Sequence, residues 1–295
     1  MAAYTNLDNE IFATASLEAF TKVLAPFARF SKNFSAAPSE KGANILVPLV
    51  AALTATTFGG SYVTTMGSKT VVTVALTGHK VIIVGQTDLE AANSSAASLE
   101  SFAYQQGAAL GLEVLKDVLT LVTTANFAAS SASGAAYDVA ALRAVRLLLS
   151  QNDVPDMLRC LLLDCVPMDA LLGVTNFVQK YAFAQENVAT DGKIARAYGF
   201  DFYELNNLFL GGAASVMGFA AHPAAIAIAM RYLAPQDGNT YSYAAPVSDP
   251  VTGLVFGLRD FFDNATGTRY RAMECNYGRA VGLTTAGRVI KRTDA

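Results

Sequence analysis

The chain contains only two histidines and three cysteines. Any metal centre, thiol nucleophile or imidazole base must therefore draw on His79, His222, Cys160, Cys165 and Cys275. A structural or catalytic zinc site needs three or four such ligands at characteristic spacing, and neither histidine has a carboxylate or cysteine at that spacing. Cys160 and Cys165 sit in MLRCLLLDCVP, an apolar run that reads as a buried strand over 157–166. An odd cysteine count without a framework spacing points to small core residues rather than to disulfides. His222 is followed by Pro223, which suits the first position of a helix, so its ring is expected beside a helix N-terminus. The glycines of GGAASVMG (211–218) come without the lysine or the spacing that cradles a phosphate. Asp201 with Glu204, and Asp260 with Asp263, are spaced to pair, but such acids ordinarily cap helices or face water. No nucleophile elbow or dinucleotide fingerprint is present. These residues predict no catalytic constellation, no cofactor and no metal site, and no enzyme.

Composition turns attention from chemistry to surfaces. Of 295 residues, 53% are hydrophobic and 15% charged, against a usual quarter charged. Such a chain can bury a large core, which excludes intrinsic disorder. It also has few charges with which to solvate a surface of its own, so either a membrane or other protein must cover it. The charge-free stretches 42–68 and 205–230 are interrupted by Pro48, and by Asn206, Asn207, His222 and Pro223. Neither supplies the ~20 continuous apolar residues of a spanning helix, so no membrane partner is expected. The start MAAYTNLDNEIF carries acids where a secretory signal has bases, which predicts a cytoplasmic chain. A net charge of −3 argues against a dedicated nucleic-acid binder.

The elements follow from periodicity. Ile11, Leu17, Phe20, Val23 and Leu24 recur at helical spacing until Pro26. That helix is either an ordinary terminal helix or an arm that docks on another subunit. The segments NILVPLVAALTATT and KTVVTVALTGHKVIIVG, rich in Val, Ile and Thr, predict a long hairpin with a glycine-rich tip between them. A two-stranded hairpin is marginal alone and must lie against something. Residues 88–124 predict one long helix with Asp88 as N-cap and a stripe of Leu99, Phe102, Leu112, Leu115, Leu119 and Val122. At 1.5 Å per residue it spans about 50 Å, the diameter of a compact globule with a radius of gyration of ~19 Å. A layered α/β region follows. Val139, Leu142, Val145, Leu148 and Leu149 mark one face of a helix there, a second helix begins near Met168, and ARAYGFDFYELNNL reads as a strand. FAAHPAAIAIAMRYL reads as a strand passing through His222-Pro223 into a helix. Residues 255–295 return to strands, with bases outnumbering acids seven to four, a solvated face or a surface toward anionic partners.

This succession resembles the HK97-like major capsid proteins of tailed bacteriophages, over nearly the whole chain. LDNEIFATASLEAFTKVLAPFARFSKNF followed by KGANILVP resembles the family's N-terminal arm leading into its extended loop. GFDFYELNNL with MGFAAHPAAIAIAMRYL resembles the strand and His-Pro-helix passage of the axial domain, and RYRAMECNYGRAVGLTTAGRVIKR its last peripheral strands. The resemblance implies an α+β fold with an N-arm over 1–44, an extended β-hairpin loop over 45–86 and a spine helix over 87–130. It further implies an α/β axial domain over 131–254 and closing peripheral strands over 255–295. The function it implies is a self-assembling structural subunit of an icosahedral head, built of pentamers and hexamers around double-stranded DNA. A separate scaffolding protein and a portal are implied partners, contact with packaged DNA is non-specific, and location is the virion after assembly in the bacterial host's cytoplasm. An encapsulin-type nanocompartment shell is the alternative. Under this reading Phe12, Phe20, Phe27, Phe58, Tyr62 and Lys69 are the expected contacts between subunits. Some relatives also cross-link a lysine near the hairpin tip to a neighbour's asparagine; Lys69 lies in that zone, and nothing else in the sequence supports that chemistry.

Overall fold

The computed structural model describes residues 2–35, 44–50, 57–60, 69–93, 96–132, 137–174, 194, 196–205, 216–236, 241–250 and 252–293. The architecture is α+β, with two six-stranded sheets and a two-stranded ribbon. One long strand, β13 (Thr268–Val281), organises the first sheet. Along one edge it carries β4 (Gly78–Thr87), antiparallel from Thr268 opposite Thr87 to Tyr277 opposite Gly78. The other edge is shared by β12 (Val255–Asp263) and then β10 (Ile226–Arg231). Beyond these lie β11 (Tyr243–Ser248), beside β12, and β1 (Ser31–Asn33), parallel to β10. In the second sheet the order is β5 (Ala129–Ala132), β14 (Gly287–Arg292), β9 (Val216–Ala221), β6 (Cys160–Leu163), β8 (Phe200–Glu204) and β7 (Arg196–Ala197). The ribbon pairs β2 (Asn44–Val50) with β3 (Lys69–Ala75) antiparallel.

Two helices close the first sheet's core. These are α1 (Ala2–Leu24), followed past Pro26 by the single turn α2 (Phe27–Phe30), and α4 (Ala96–Leu119). The long helix expected over 88–124 is found as α3 (Asp88–Asn93) and α4, with residues 94–95 outside the described set. Its start is not capped by Asp88. Thr87 Oγ1 accepts the Glu90 amide at 3.2 Å, while the Glu90 carboxylate accepts the Thr87 amide at 2.9 Å. This is a reciprocal capping box, and the Thr87 bonds hold the Glu90 carboxyl below its ordinary range. The buried stripe of α4 is Ala103, Gln106, Leu110, Val114, Leu115, Val118 and Leu119. Phe102 and Leu112, expected on it, face outward. The stripe runs through Gln106 because its Nε2 donates to the carbonyls of Ile82 (2.7 Å) and Arg271 (3.0 Å). These two bonds offset part of the cost of burying the amide, whose Oε1 has no hydrogen-bond partner among the described residues.

In the second sheet α5 (Val139–Gln151) lays Leu142, Val145 and Leu149 on the core, as its pattern predicts. Asp138 caps it by accepting the Ala141 amide at 2.9 Å. The strand expected over 157–166 narrows to β6, buried along its whole length, and α6 (Cys165–Leu172) begins earlier than Met168. From residue 175 the predicted second helix lies outside the described residues. Tyr198 and Gly199, both at positive φ (51° and 85°), make the tight turn between β7 and β8, the combination that suits the twist of a two-residue hairpin.

Three expectations change. IAIAMR after His222-Pro223 forms strand β10, not a helix. Ile226, Ile228 and Met230 enter the core with α1 and α4, while Ala227 and Ala229 meet Ile45, Val47 and Val74 at the ribbon's foot. A strand buried on both faces reads as a continuous apolar run, which periodicity does not separate from a buried helix. Second, the arm of the hairpin expected to run through 86 divides: β3 stays in the ribbon, and β4 joins the first sheet. Third, the closing strands do not stay together, since β14 crosses to the second sheet between β5 and β9.

Candidate assembly surfaces

Phe12, Phe20 and Phe27, expected to reach a neighbour, are buried in the core of their own chain. This corrects the expectation for all three. Phe20 is 0% exposed, and its ring centroid lies 5.0 Å from that of Phe256 on β12. The Phe27 ring lies tilted against that of Phe30, with centroids 5.1 Å apart. The arm is therefore an ordinary terminal helix over most of its length, because α4 supplies the apolar face it needs. Small residues allow the approach: a Cβ on Gly107 would stand 2.2 Å from the Ser16 carbonyl oxygen. Residues 9–30 have the length and hydropathy of a membrane span, but Phe12, Phe20, Leu24, Phe27 and Phe30 within them are spent on this core.

The other expected contacts lie on the ribbon. Phe58, near its tip, is 64% exposed. Lys69 opens β3 opposite Val50, and Tyr62 lies outside the described residues. Leu46 and Val71 on the ribbon, and Val81 and Ile83 on β4, are also exposed. These four are the outward half of alternating strands whose inward half packs on the body.

Several charged groups are committed within the chain. Arg259 pairs with Glu274 and lies over the Tyr241 ring, Arg269 pairs with Asp260, and Arg279 pairs with Asp117. Three bases of the 255–295 excess thus serve the fold. Tyr277 donates to Asp117 at 2.6 Å, and burial pushes its phenol up to about 12. The acids spaced to pair do not: Asp201 faces Arg29 (3.2 Å) and Arg196 (3.6 Å), and Asp263 accepts the Ala265 amide at 2.9 Å. His222 sits in the turn from β9 to β10, where its Nδ1 faces the Ala224 amide at 3.3 Å. Burial, aided by the Arg159 charge, holds its imidazole below the ordinary range. Among the described residues no three His, Cys, Asp or Glu side chains converge on a metal-sized space.

Cys160 and Cys275 are buried and Cys165 is partly exposed. Burial pushes the Cys275 thiol up to about 12 and the Cys160 thiol higher still. Because the thiolate is the reacting form, iodoacetamide at pH 8 is expected to label Cys165 alone in folded protein and all three cysteines in urea. Mass spectrometry of the native adduct checks this; rapid native labelling of Cys275 would contradict it.

A segment that the sequence reading placed partly in a strand proves to be a loop braced by hydrogen bonds. Over 152–159, Asp153 and Leu158 both hold positive φ, 55° and 62°, which for non-glycine residues costs on the order of 1–3 kcal/mol each. Arg159, itself buried, holds the loop from beneath. Its Nε donates to the Pro155 carbonyl (2.9 Å), its Nη1 to Ser150 Oγ (3.1 Å), and its Nη2 to the Val154 carbonyl. Met157 and Leu158 stand outward, 75% and 49% exposed. The turn-forming Asn152-Asp153 and Pro155-Asp156 pairs were the available signal for it.

No family model matches the sequence, and no curated protein matches it. Solved structures do. Similar chains occur in the capsid structure of the cyanophage P-SCSP1u (TM-score 0.60, 13% identity, 90% of this chain and 87% of that one) and in a Mycobacterium phage Che8 structure (TM-score 0.58, 17% identity, 85% of each). Another is found in the capsid of Ralstonia phage GP4 (TM-score 0.59, 10% identity, 90% and 89%). With the fold shared over most of both chains, this chain has the α+β fold of phage capsid subunits, the HK97-like fold that its sequence resembles.

Proposed function

We propose that the chain is the structural subunit of an icosahedral bacteriophage head, assembling through pentamers and hexamers into a shell around double-stranded DNA. The observation that carries this is the shared fold over 90% of the chain with phage capsid chains. Composition supports it, since a subunit with 15% charged residues and outward Leu46, Phe58, Val71 and Ile83 gains from cover by other copies. The role is structural rather than enzymatic. In this reading the ribbon reaches a neighbour with Phe58, Tyr62 and Lys69, and a separate scaffolding protein and a portal complete assembly in the bacterial cytoplasm. Contact with packaged DNA is non-specific and limited, because an interior of net negative subunits does not hold the phosphate backbone. The phage origin of the similar structures favours a head over a nanocompartment shell.

Overexpressed protein, purified with and without its scaffolding partner, is expected to sediment as capsomers and closed particles visible by negative stain. A folded monomer that persists at high concentration with that partner present would overturn the reading.

A further inference from the structure

Two exposed patches flank the second sheet, and their chemistry is complementary. The first is the 152–159 loop, with Met157 and Leu158 outermost and Asp156 beside them. One oxygen of Asp156 lies 3.0 Å from Arg159, yet the side chain stays 73% exposed. The second is the outward face of α5, an open groove of about 470 Å³ lined by Ala140, Arg143, Ala144, Arg146, Leu147 and Ser150. Leu147 there is 58% exposed. Neither Arg143 nor Arg146 has a carboxylate partner among the described residues, unlike Arg259, Arg269 and Arg279 of the closing strands. One patch is apolar with an acid, and the other is apolar with two bases.

We infer that the 152–159 loop of one copy seats in the α5 groove of the adjacent copy, with Met157 and Leu158 against Leu147, Ala140 and Ala144, and Asp156 facing Arg143 and Arg146. This rests on the shell-subunit reading and names a contact within its capsomers. Charge complementarity selects a second copy as the occupant, since each chain carries both halves. A contact between two different patches is heterologous, the kind that repeated head to tail builds a ring wherever the rotation between copies closes. The buried Arg159 brace matters here. It ties the loop to Ser150 at the end of α5, so the loop is ordered before docking and little ordering entropy remains to be lost. A leucine held at φ +62° without an internal packing role is the sort of outlier that a surface function retains.

The test uses the full chain with its assembly partner. Leu158→Gly removes the docking side chain while suiting the positive φ, so the unassembled subunit should melt no lower than wild type. Particle yield should nevertheless fall at least about tenfold, as for loss of an interface anchor. Asp156→Lys alone, and Arg143→Glu with Arg146→Glu, should each lower the yield, and the three substitutions combined should restore it. Full assembly by Leu158→Gly, or a combined variant no better than the separate ones, overturns the loop-to-groove contact and leaves the shell reading standing. The latter result would assign the patches to a different protein partner. Wild-type protein that forms no oligomer overturns both.

Discussion

Replacing Phe20 by alanine is expected to destabilise the unassembled subunit by about 3–5 kcal/mol, the usual cost of emptying a fully buried phenylalanine site. For a chain of this size that lowers the melting temperature by on the order of 10 °C. The side chain is 0% exposed and packs on Phe256 and against the Gly111 turn of α4. Truncation therefore leaves a cavity where α1, α4 and β12 meet. Calorimetry below the assembly concentration measures it. Were Phe20 instead a contact between subunits, the variant would melt like wild type and only assembly would suffer, so that outcome would return α1 to the role of a docking arm.

The second large effect is at the α1–α4 crossing. Gly107→Ala is expected to lose about 1–3 kcal/mol, the range for overpacking, even though alanine in a helix interior ordinarily gains ~1 kcal/mol over glycine. The new Cβ would stand 2.2 Å from the Ser16 carbonyl oxygen and 2.9 Å from its carbon. Those are backbone atoms of a helix anchored by Phe12 and Phe20, so α1 itself must move. Gly111→Ala is the internal control. Its nearest neighbours are Val23 side-chain atoms at 3.3 Å, which can give way, and the propensity gain should leave it near neutral. Urea melts of the pair separate packing from propensity. Equal midpoints for the two variants would show that α1 is not held against α4 as described.

Much of the local structure was legible in residue order. The stripe of Leu142, Val145 and Leu149 predicted α5 and its buried side, because a helix face is set by spacing of three and four residues. The Val, Ile and Thr content of 44–50 and 69–75 predicted the ribbon. The acids spaced to pair, expected to cap helices or face water, are engaged otherwise: Asp201 and Asp260 by arginines, and Asp263 by a turn. Less was legible where a residue's partner is distant in sequence. The phase of α4 turned on Gln106 finding two carbonyls, one of them 165 residues away. The Met157-Leu158 loop depends on a buried arginine that a linear reading sees only as a charge between apolar runs.

The amino-acid order alone determined most of the helices and strands, which follow from short-range periodicity, and the low charge that calls for company, which follows from composition. The class of fold came from resemblance to a known family. Only the tertiary structure decided that Phe12, Phe20 and Phe27 face inward, that IAIAMR is a strand, and that β14 belongs to the second sheet. The physical reason is common to all three. An apolar side chain seeks burial without specifying against what, because the hydrophobic effect is non-directional. Whether its cover is the chain's own helix, the foot of a ribbon or another copy is settled by long-range packing.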